Sequence, residues 1–131
     1  MIITAGTVLP IQTRAGDSLA IHRALADAHP GDVLVINANS DTNRACFGDF
    51  LGELCIARGV SPAGPFKYGP GVIGTPVACG NVVCNPGDAI LGDSDGIVVI
   101  PRHLIHTTLE NTRAQENTEA AMRGRIPALT H

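Results

Sequence analysis

The sequence predicts one α/β domain, on three observations. Its first half alternates apolar strand patterns with helical patterns, an order typical of a sheet covered by helices. Its second half holds several short strand-like runs separated by turn residues. The chain has 131 residues, of which 44% are hydrophobic and 16% charged, so we expect one packed core and a single domain over residues 1–131.

The first strand and the first helix are predicted from local pattern. Residues 2–9 favour a strand, which we expect to end at Pro10. Residues 17–28 place apolar side chains at helical spacing, with Asp17 or Ser18 available to cap the first turn. The helix has to stop before Pro30, because the residue preceding a proline disfavours the helical conformation.

The second strand and the second helix complete the alternation. Residues 30–32 (Pro-Gly-Asp) predict a turn, and residues 33–36 form a continuous apolar run that is typical of a strand buried on both faces. We expect that strand to lie at the centre of the sheet. A polar loop over 37–43 leads to a helix predicted over 45–58, which ends at Gly59 as a C′ glycine.

The second half of the chain has a different character. Residues 60–74 contain too many prolines and glycines for a helix or a central strand. Short strands are predicted over 75–79, 82–84, 89–91 and 97–100, joined by tight turns, and we expect them to form a β-rich layer against the first sheet. A long polar helix is predicted over 103–123.

Composition narrows the classes of function. The formal net charge of −3 does not indicate the positively charged surface that binding of nucleic acid requires. No segment approaches the roughly 20 apolar residues of a membrane span. The N-terminus lacks the basic start of a secretory signal. The spacing of Cys46, Cys55, Cys79 and Cys84 matches no zinc site. We therefore expect reduced cysteines in a cytoplasmic protein, with disulfides as the less favoured alternative.

Three segments carry a family resemblance. They read PGDVLVI at 30–36, RACFGDFLGEL at 44–54 with ARGV at 57–60, and PGDAILGDSDGIVVIP at 86–101. In this order they resemble the superfamily of 4-hydroxy-4-methyl-2-oxoglutarate aldolases and ribonuclease-activity regulators, class II pyruvate aldolases formerly misnamed demethylmenaquinone methyltransferases. The third segment is the most specific, because so long a string is rarely met by chance.

The resemblance implies a fold, an activity and an assembly. The fold is a layered β/β/α sandwich of the swivelling-domain-like type, truncated here relative to the family. The activity is that of a metal-dependent lyase, which cleaves 4-hydroxy-4-methyl-2-oxoglutarate-type substrates to pyruvate, with oxaloacetate decarboxylation as a side activity. The resemblance also implies Mg²⁺ or Mn²⁺ as cofactor, a small 2-oxo acid as substrate, and a homotrimer or hexamer.

The resemblance further implies residues for the site. Gly48, Asp49, Phe50 and Leu51 correspond to the pyruvate-binding loop, where a helix start offers free N–H groups to an anion. The implied catalytic residues are Asp49, beside a metal-bound water or the catalytic Arg, and Glu119, reaching a neighbouring subunit's site. Structural alternatives stay open: glycines that only allow close packing, a first-turn carboxylate, and a solvated helix face.

The sequence departs from the family pattern after the second helix. Members usually continue with a strand and a GxxxDGxxRD-like motif, whose Arg polarises the substrate and whose Asp anchors the metal. Here Val60 leads directly into Ser61, and no Arg-Asp pair occurs in the sequence. The metal-anchoring residue is therefore unknown, and Arg44 is better explained as an exposed charge than as a replacement. A non-catalytic, regulator-like binding protein or an inactive remnant is the alternative function.

Other polar residues favour structural roles. Asp88, Asp93 and Asp95 lie in PGD and GDSDG segments, which are typical of turns in which Asp accepts bonds from its own backbone. A metal site at these carboxylates is the less favoured interpretation, since the rest of a calcium loop is absent. The five histidines show no ligand spacing and are expected on the surface.

Overall fold

The secondary structure follows the predicted order of strands and helices. A computed structural model describes residues 4–14, 16–39, 43, 48–61 and 71–126. The elements in chain order are β1 (Thr4–Gln12), α1 (Leu19–Asp27), β2 (Asp32–Asn37), α2 (Asp49–Ala57), β3 (Val72–Ile73), β4 (Val77–Cys79), β5 (Val82–Cys84), β6 (Ala89–Gly92), β7 (Ile97–Ile100), a 3-10 turn (Arg102–Leu104) and α3 (Ile105–Arg123).

The strands form one mixed sheet and one hairpin. In the five-stranded sheet the order is β2-β1-β6-β7, and β3 also pairs with β1. β1 runs parallel to β2, from the pair Thr7–Asp32 to the pair Gln12–Asn37, and antiparallel to β3 and β6. β4 and β5 form a separate antiparallel pair. α1 is the crossover helix that connects the parallel strands β1 and β2.

The sheet separates two apolar layers, as the predicted β/β/α arrangement requires. The expectation that all the later short strands form the second β layer is wrong, because β3, β6 and β7 join the sheet of β1 and β2 and only β4 and β5 form a separate pair. On one face α1 and α2 pack on β1 and β2, with Ile11, Ile21, Leu34 and Leu51 fully or almost fully buried. On the other face the β4–β5 hairpin covers the sheet, and its core members are Val8, Val33, Val35, Val77, Cys84 and Ile90. Alternate residues of β2 thus serve both layers, as the pleat of a strand requires.

Among the described strands, residues 33–36 lie at one end of the order and not at its centre as expected, whereas the expected burial of both faces is confirmed. β2 ends the strand order of the described sheet. Beyond it there is a single parallel bridge to Ser61, whose N–H donates to Asp32 O at 3.2 Å and whose C=O accepts from Leu34 N at 3.0 Å. Among the described residues, the pairing on this side of β2 is limited to this one bridge.

The first strand does not end at Pro10 as expected but continues to Gln12. β6 pairs with β1 only as far as Thr7, and β3 pairs with it only from Ile11 onward. Pro10 falls between these two partners, so its missing N–H removes no ladder hydrogen bond. Its carbonyl accepts from Gly74 N at 2.9 Å.

Both predicted helices of the first half are present. Asp17 lies just before α1, and its carboxylate caps the first turn, as predicted: Leu19 N donates to Asp17 Oδ1 at 3.0 Å. The second helix was predicted over 45–58, but Gly48 is extended and α2 begins at Asp49; residues 45–47 lie outside the described residues. Its end is confirmed, with Gly59 in the left-handed conformation at φ 65°. Just before that glycine, the Arg58 guanidinium donates to Leu25 O at 2.9 Å and so ties α2 to the end of α1.

The second half confirms the predicted turns and the long helix. Gly80 and Asn81 both have positive φ, 56° and 63°, as a two-residue hairpin turn requires. α3 follows directly on the 3-10 turn, and none of its side chains is buried. Of the described helices, none is long and apolar enough to cross a membrane.

Candidate functional site

The candidate site lies at the edge of the sheet where the parallel strands β1 and β2 end. Because each of these strands is followed by a helix, the N-termini of α1 and α2 both open toward this edge. In open α/β sheets such an edge is where ligands bind. The carboxyl ends of β1 and β2 contribute Gln12 and Asn37, and α2 contributes the segment that begins at Gly48.

The backbone at the start of α2 has the geometry of an anion-accepting helix end. Gly48 is the N-cap, in an extended conformation with φ −132° and ψ 176°. Its C=O accepts the first helical hydrogen bond, from Gly52 N at 3.0 Å. The N–H groups of Asp49, Phe50 and Leu51 precede that bond and so have no acceptor within the helix. A glycine cap also brings no side chain to occupy them.

Space in front of this helix start is open. Among the described residues, no atom lies within 4 Å of the position that a Cβ on Gly48 would take. The side chains of Asp49 and Phe50 are exposed, Phe50 by 67%. Leu51 is different, because its side chain is completely buried and packs in the helix-side core. Leu51 therefore anchors the helix and can serve a ligand only through its backbone N–H.

The two implied catalytic carboxylates lie on different elements. Asp49 is in the first turn of α2, where a negative charge complements the helix dipole. Glu119 is on α3, and its described contacts stay on that helix: Gln115 Nε2 donates to it at 3.2 Å, and Arg123 is 3.9 Å away. No described contact joins Asp49 to Glu119 within one chain, so their meeting at one site stays a prediction that needs a second copy.

A cluster of side-chain amides at the same edge was not predicted from the sequence. Gln12 Nε2 donates to Asn37 O at 3.2 Å and to Asn39 Oδ1 at 3.4 Å. Asn39 has a left-handed backbone, φ 59°, and its N–H donates to Asn37 Oδ1 at 2.9 Å. These bonds fix the direction in which the chain leaves β2 toward α2. The available signal is that polar residues directly follow two apolar strands; the sequence pattern at 37–43 indicates a loop and does not by itself indicate contact with Gln12.

The acidic turns bind backbone groups, in agreement with the turn interpretation. The Asp88 carboxylate is 3% exposed and accepts from Asn85 N at 3.0 Å and Arg102 N at 2.8 Å. Asp93 Oδ1 accepts from Asp95 N at 2.8 Å. Within residues 4–14, 16–39, 43, 48–61 and 71–126, no group of three or more His, Cys, Asp or Glu side chains is arranged to hold a metal ion.

Three thiols are structural rather than nucleophilic. Cys55, Cys79 and Cys84 are free, and burial raises the pKa of each thiol above its ordinary value. The neighbouring Cys79 and Asp88 raise the pKa of Cys84 further. A thiol with a raised pKa is protonated at neutral pH and is a poor nucleophile or metal ligand. Cys46 and Arg44 lie outside the described residues.

The described structure is a layered α/β fold in which a glycine-capped helix start follows two parallel strands, a geometry that is able to accept an anion. A family model described as RraA-like, Aldolase/RraA, matches residues 2–63 and 55–99, which together span more than half of the chain. The chain belongs to this aldolase/RraA family.

Individual relatives agree with this assignment. A protein of Halalkalibacterium halodurans named "Putative 4-hydroxy-4-methyl-2-oxoglutarate aldolase" is 32% identical over 143 residues, covering 88% of this chain and 68% of the relative. An uncharacterized protein of Pseudomonas syringae superimposes with a TM-score of 0.80 at 18% identity, over 97% of this chain and 72% of that one. Streptomyces coelicolor RraAS2, titled an unusual member of the RNase ES inhibitor RraA family, has a TM-score of 0.79 at 21% identity. The match covers 95% of this chain and 79% of that one.

The comparison also bears on the segment missing after α2. The alignment to the Halalkalibacterium relative spans 143 positions but takes in only 88% of a 131-residue chain, so the relative has internal residues without a counterpart here. The two matches of the family model overlap at residues 55–63, around the end of α2 and Ser61. Ser61 is also the residue that makes the single described bridge to Val33, on the side of β2 away from β1.

Proposed function

We propose that this chain binds the carboxylate of a small 2-oxo acid at the start of α2, as a member of the aldolase/RraA family with little or no aldolase turnover. The observation that carries the proposal is the glycine-capped start of α2, with its N–H groups turned to open space at the carboxyl ends of β1 and β2. An oriented set of free N–H groups at the positive end of a helix dipole favours a carboxylate.

The substrate class follows from the family. The 4-hydroxy-4-methyl-2-oxoglutarate-type acids, their product pyruvate and oxaloacetate all carry a carboxylate next to a carbonyl. The helix start would hold the carboxylate, and the exposed Phe50 side chain lies beside it. One exposed helix end contributes only about 0.3 to 1 kcal/mol to anion binding. A millimolar dissociation constant corresponds to about 4 kcal/mol, so we expect binding no tighter than millimolar.

Catalysis in the family depends on a divalent ion, which the resemblance implies to be Mg²⁺ or Mn²⁺. The described residues of one chain do not offer a ligand set for such an ion, and the Arg-Asp pair of the family is absent from the sequence. Removing one preorganised electrostatic donor typically costs about a hundred- to a thousand-fold in rate. We therefore expect carboxylate binding without appreciable cleavage.

The binding proposal is tested by titrating pyruvate into the protein and recording chemical shifts of the α2 amides. Gly48→Val places a branched side chain where the carboxylate would lie, and it should weaken binding at least tenfold. Ala57→Val places the same valine side chain at the exposed last turn of α2 and should leave binding unchanged. Equal affinities of the two variants would contradict the assignment of the site to Gly48.

The catalytic part is tested with a coupled pyruvate-release assay on 4-hydroxy-4-methyl-2-oxoglutarate with added Mg²⁺ or Mn²⁺. We expect turnover near background. Robust turnover that a chelator removes would show that other residues hold the ion, and Asp49→Asn and Glu119→Gln would then identify them. If Asp49 only complements the helix dipole, Asp49→Asn should strengthen anion binding by removing a nearby negative charge.

A non-catalytic role is the second candidate, and the missing Arg-Asp pair favours it. The chain would then act by docking on another protein. The titles of two structural neighbours describe one as a member of the RNase ES inhibitor RraA family and the other as an RNA-processing inhibitor. Adding the chain to a ribonuclease E-type endonuclease and measuring RNA cleavage tests this directly. We further propose a cytoplasmic protein that assembles as a homotrimer or hexamer and has no direct affinity for nucleic acid.

A further inference from the structure

Asn39 lies where the chain leaves β2 toward α2, and its backbone is left-handed, with φ 59°. Asparagine tolerates this conformation better than most residues, but outside glycine it is uncommon and clusters at functional sites. The Asn39 N–H donates to Asn37 Oδ1 at 2.9 Å, which holds the turn in place. The backbone of this turn therefore fixes where the Asn39 side chain stands.

Gln12, the last residue of β1, fixes the orientation of the Asn39 side chain. Its Nε2 group donates to Asn39 Oδ1 at 3.4 Å and to Asn37 O at 3.2 Å, so the glutamine itself is held by the end of β2. A carboxamide whose oxygen accepts from Gln12 directs its nitrogen away from Gln12. Because Asn39 is exposed, its Nδ2 group is a donor presented at the carboxyl edge of the strands.

The start of α2 lies at the same edge as Asn39. Ala38, the residue before Asn39, is buried in the helix-side core, and so is Leu51 in the first turn of α2. Both belong to one cluster with Ile11, which lies near the end of β1. The packing therefore brings the turn at Asn39 and the N–H groups that follow Gly48 to one end of the domain.

A buried hydroxyl at this edge lacks the hydrogen bond that its position predicts. Ser18 is the N-cap of α1 and is 3% exposed, but its side chain makes no capping hydrogen bond. The Asp17 carboxylate accepts from the Leu19 N–H instead, at 3.0 Å. A buried hydroxyl in this state is normally satisfied by a bound water or a ligand. Ser18 thus points to a polar occupant at the edge where α1 and α2 begin.

We infer that the Asn39 Nδ2 group donates a hydrogen bond to the carbonyl oxygen of a 2-oxo acid whose carboxylate lies at the start of α2. In such an acid the carbonyl carbon is bonded directly to the carboxylate carbon, so donors for both groups have to stand side by side. The inference rests on the proposed carboxylate site at Gly48 and adds the contact that distinguishes a 2-oxo acid from a simple carboxylic acid. Gln12 is a positioning residue, since it acts on the ligand only through Asn39.

A donor to the carbonyl oxygen is measurable against a ligand that lacks this oxygen. Propionate has the same carboxylate and the same carbon chain as pyruvate, with a methylene group in place of the carbonyl. One neutral hydrogen bond of ordinary strength corresponds to about a fivefold difference in dissociation constant. We therefore expect the wild-type chain to bind pyruvate about fivefold more tightly than propionate.

The test titrates pyruvate and propionate separately into the full chain and follows the chemical shifts of the α2 amides. Asn39→Gly removes the side-chain amide but keeps the turn, because glycine accepts a positive φ without strain. Pyruvate binding should then weaken about fivefold, to the level of propionate, while propionate binding stays unchanged. Asn81→Gly is the matched control: Asn81 is an exposed asparagine with φ 63° in the β4–β5 turn, and its replacement should leave both affinities unchanged.

Gln12→Met tests the positioning role. Methionine keeps the length of the side chain but has no N–H group to hold Asn39 Oδ1. The preference for pyruvate over propionate should fall below about twofold, because the Asn39 amide is no longer oriented, while propionate binding stays within about twofold of the wild type. A purely structural role of Gln12 would instead weaken both ligands alike.

The contrary results are distinguishable. A wild-type chain that binds pyruvate and propionate equally refutes the carbonyl contact but keeps the carboxylate site at Gly48. A chain that binds neither ligand refutes the proposed function, and the inference falls with it. An Asn39→Gly variant that retains the full preference for pyruvate, or that loses both ligands alike, shows that Asn39 does not contact the carbonyl.

Discussion

Gly6 is the position where the packing of β1 against the turn before β2 is tightest. A Cβ on this residue would lie 2.1 Å from Gly31 O and 2.8 Å from Val33 Cγ2. Real Cβ atoms do not approach that closely, so Gly6→Ala has to push the Gly31 carbonyl away. That carbonyl accepts a hydrogen bond from Thr7 N at 3.0 Å, and the bond would be lost or distorted.

The cost of Gly6→Ala follows from these contacts. Overpacking costs about 1 to 3 kcal/mol, and a lost backbone hydrogen bond adds about 1 kcal/mol, so the free energy of unfolding should fall by roughly 2 to 4 kcal/mol. This is a large part of the roughly 5 to 15 kcal/mol expected for a domain. Urea unfolding followed by circular dichroism at one fixed protein concentration measures it.

Gly48→Ala is the matched control for Gly6→Ala. Both glycines have negative φ, but the Gly48 position is open, so only the weaker cap preference of alanine applies, at about 1 kcal/mol or less. A Gly6→Ala variant as stable as the wild type would refute the close approach of β1 to the Pro30–Gly31 turn.

Three further predictions test other parts of the packing. Leu51→Ala should lower the free energy of unfolding by about 2 to 5 kcal/mol, because the side chain is completely buried under α2, and an unchanged urea midpoint would contradict that burial. Asp88→Ala should cost about 1 to 3 kcal/mol for each of the two backbone N–H groups left without their acceptor, and Asp88→Asn, which keeps one carbonyl oxygen, should cost less. The raised pKa of the Cys55, Cys79 and Cys84 thiols makes the folded chain hold protons that the unfolded chain releases, so this contribution to stability is present below the ordinary value of 9.0 and is lost as the pH rises above it. Unfolding measured from neutral to alkaline pH should show this decline, and Cys84→Ala should make it shallower.

Local patterns predicted the elements because the physics that forms them is local. The apolar run at 33–36 and the C′ glycine at Gly59 each indicate a structure set by neighbouring residues. The position of β2 at the end of the sheet could not be predicted in the same way. Periodicity reports which faces of a strand are buried, whereas its place in the sheet depends on hydrogen bonds to distant residues such as Ser61.

The candidate site was predictable only in part for the same reason. The start of α2 was located by resemblance, and its open, glycine-capped geometry is as expected. The amide cluster of Gln12, Asn37 and Asn39 was missed, because its members are 25 or more residues apart except for the last two. Asp88 was predicted as a turn residue, but its bond to the Arg102 N–H, 14 residues away, depends on how β7 returns to the turn.

The exposure of α3 affects how stable this helix is compared with the rest of the domain. A helix of 19 mostly polar residues gains nothing from a core, and an isolated helix of that length is marginal in water. The sheet and its two layers keep their order in a dilute chain, because their packing is internal. In the oligomer proposed above, α3 would gain packing that a single chain does not give it, so the hydrogen exchange of the α3 amides should slow as the protein concentration rises. Exchange of the amides of β1 and β2 should stay the same, because those strands pack within one chain.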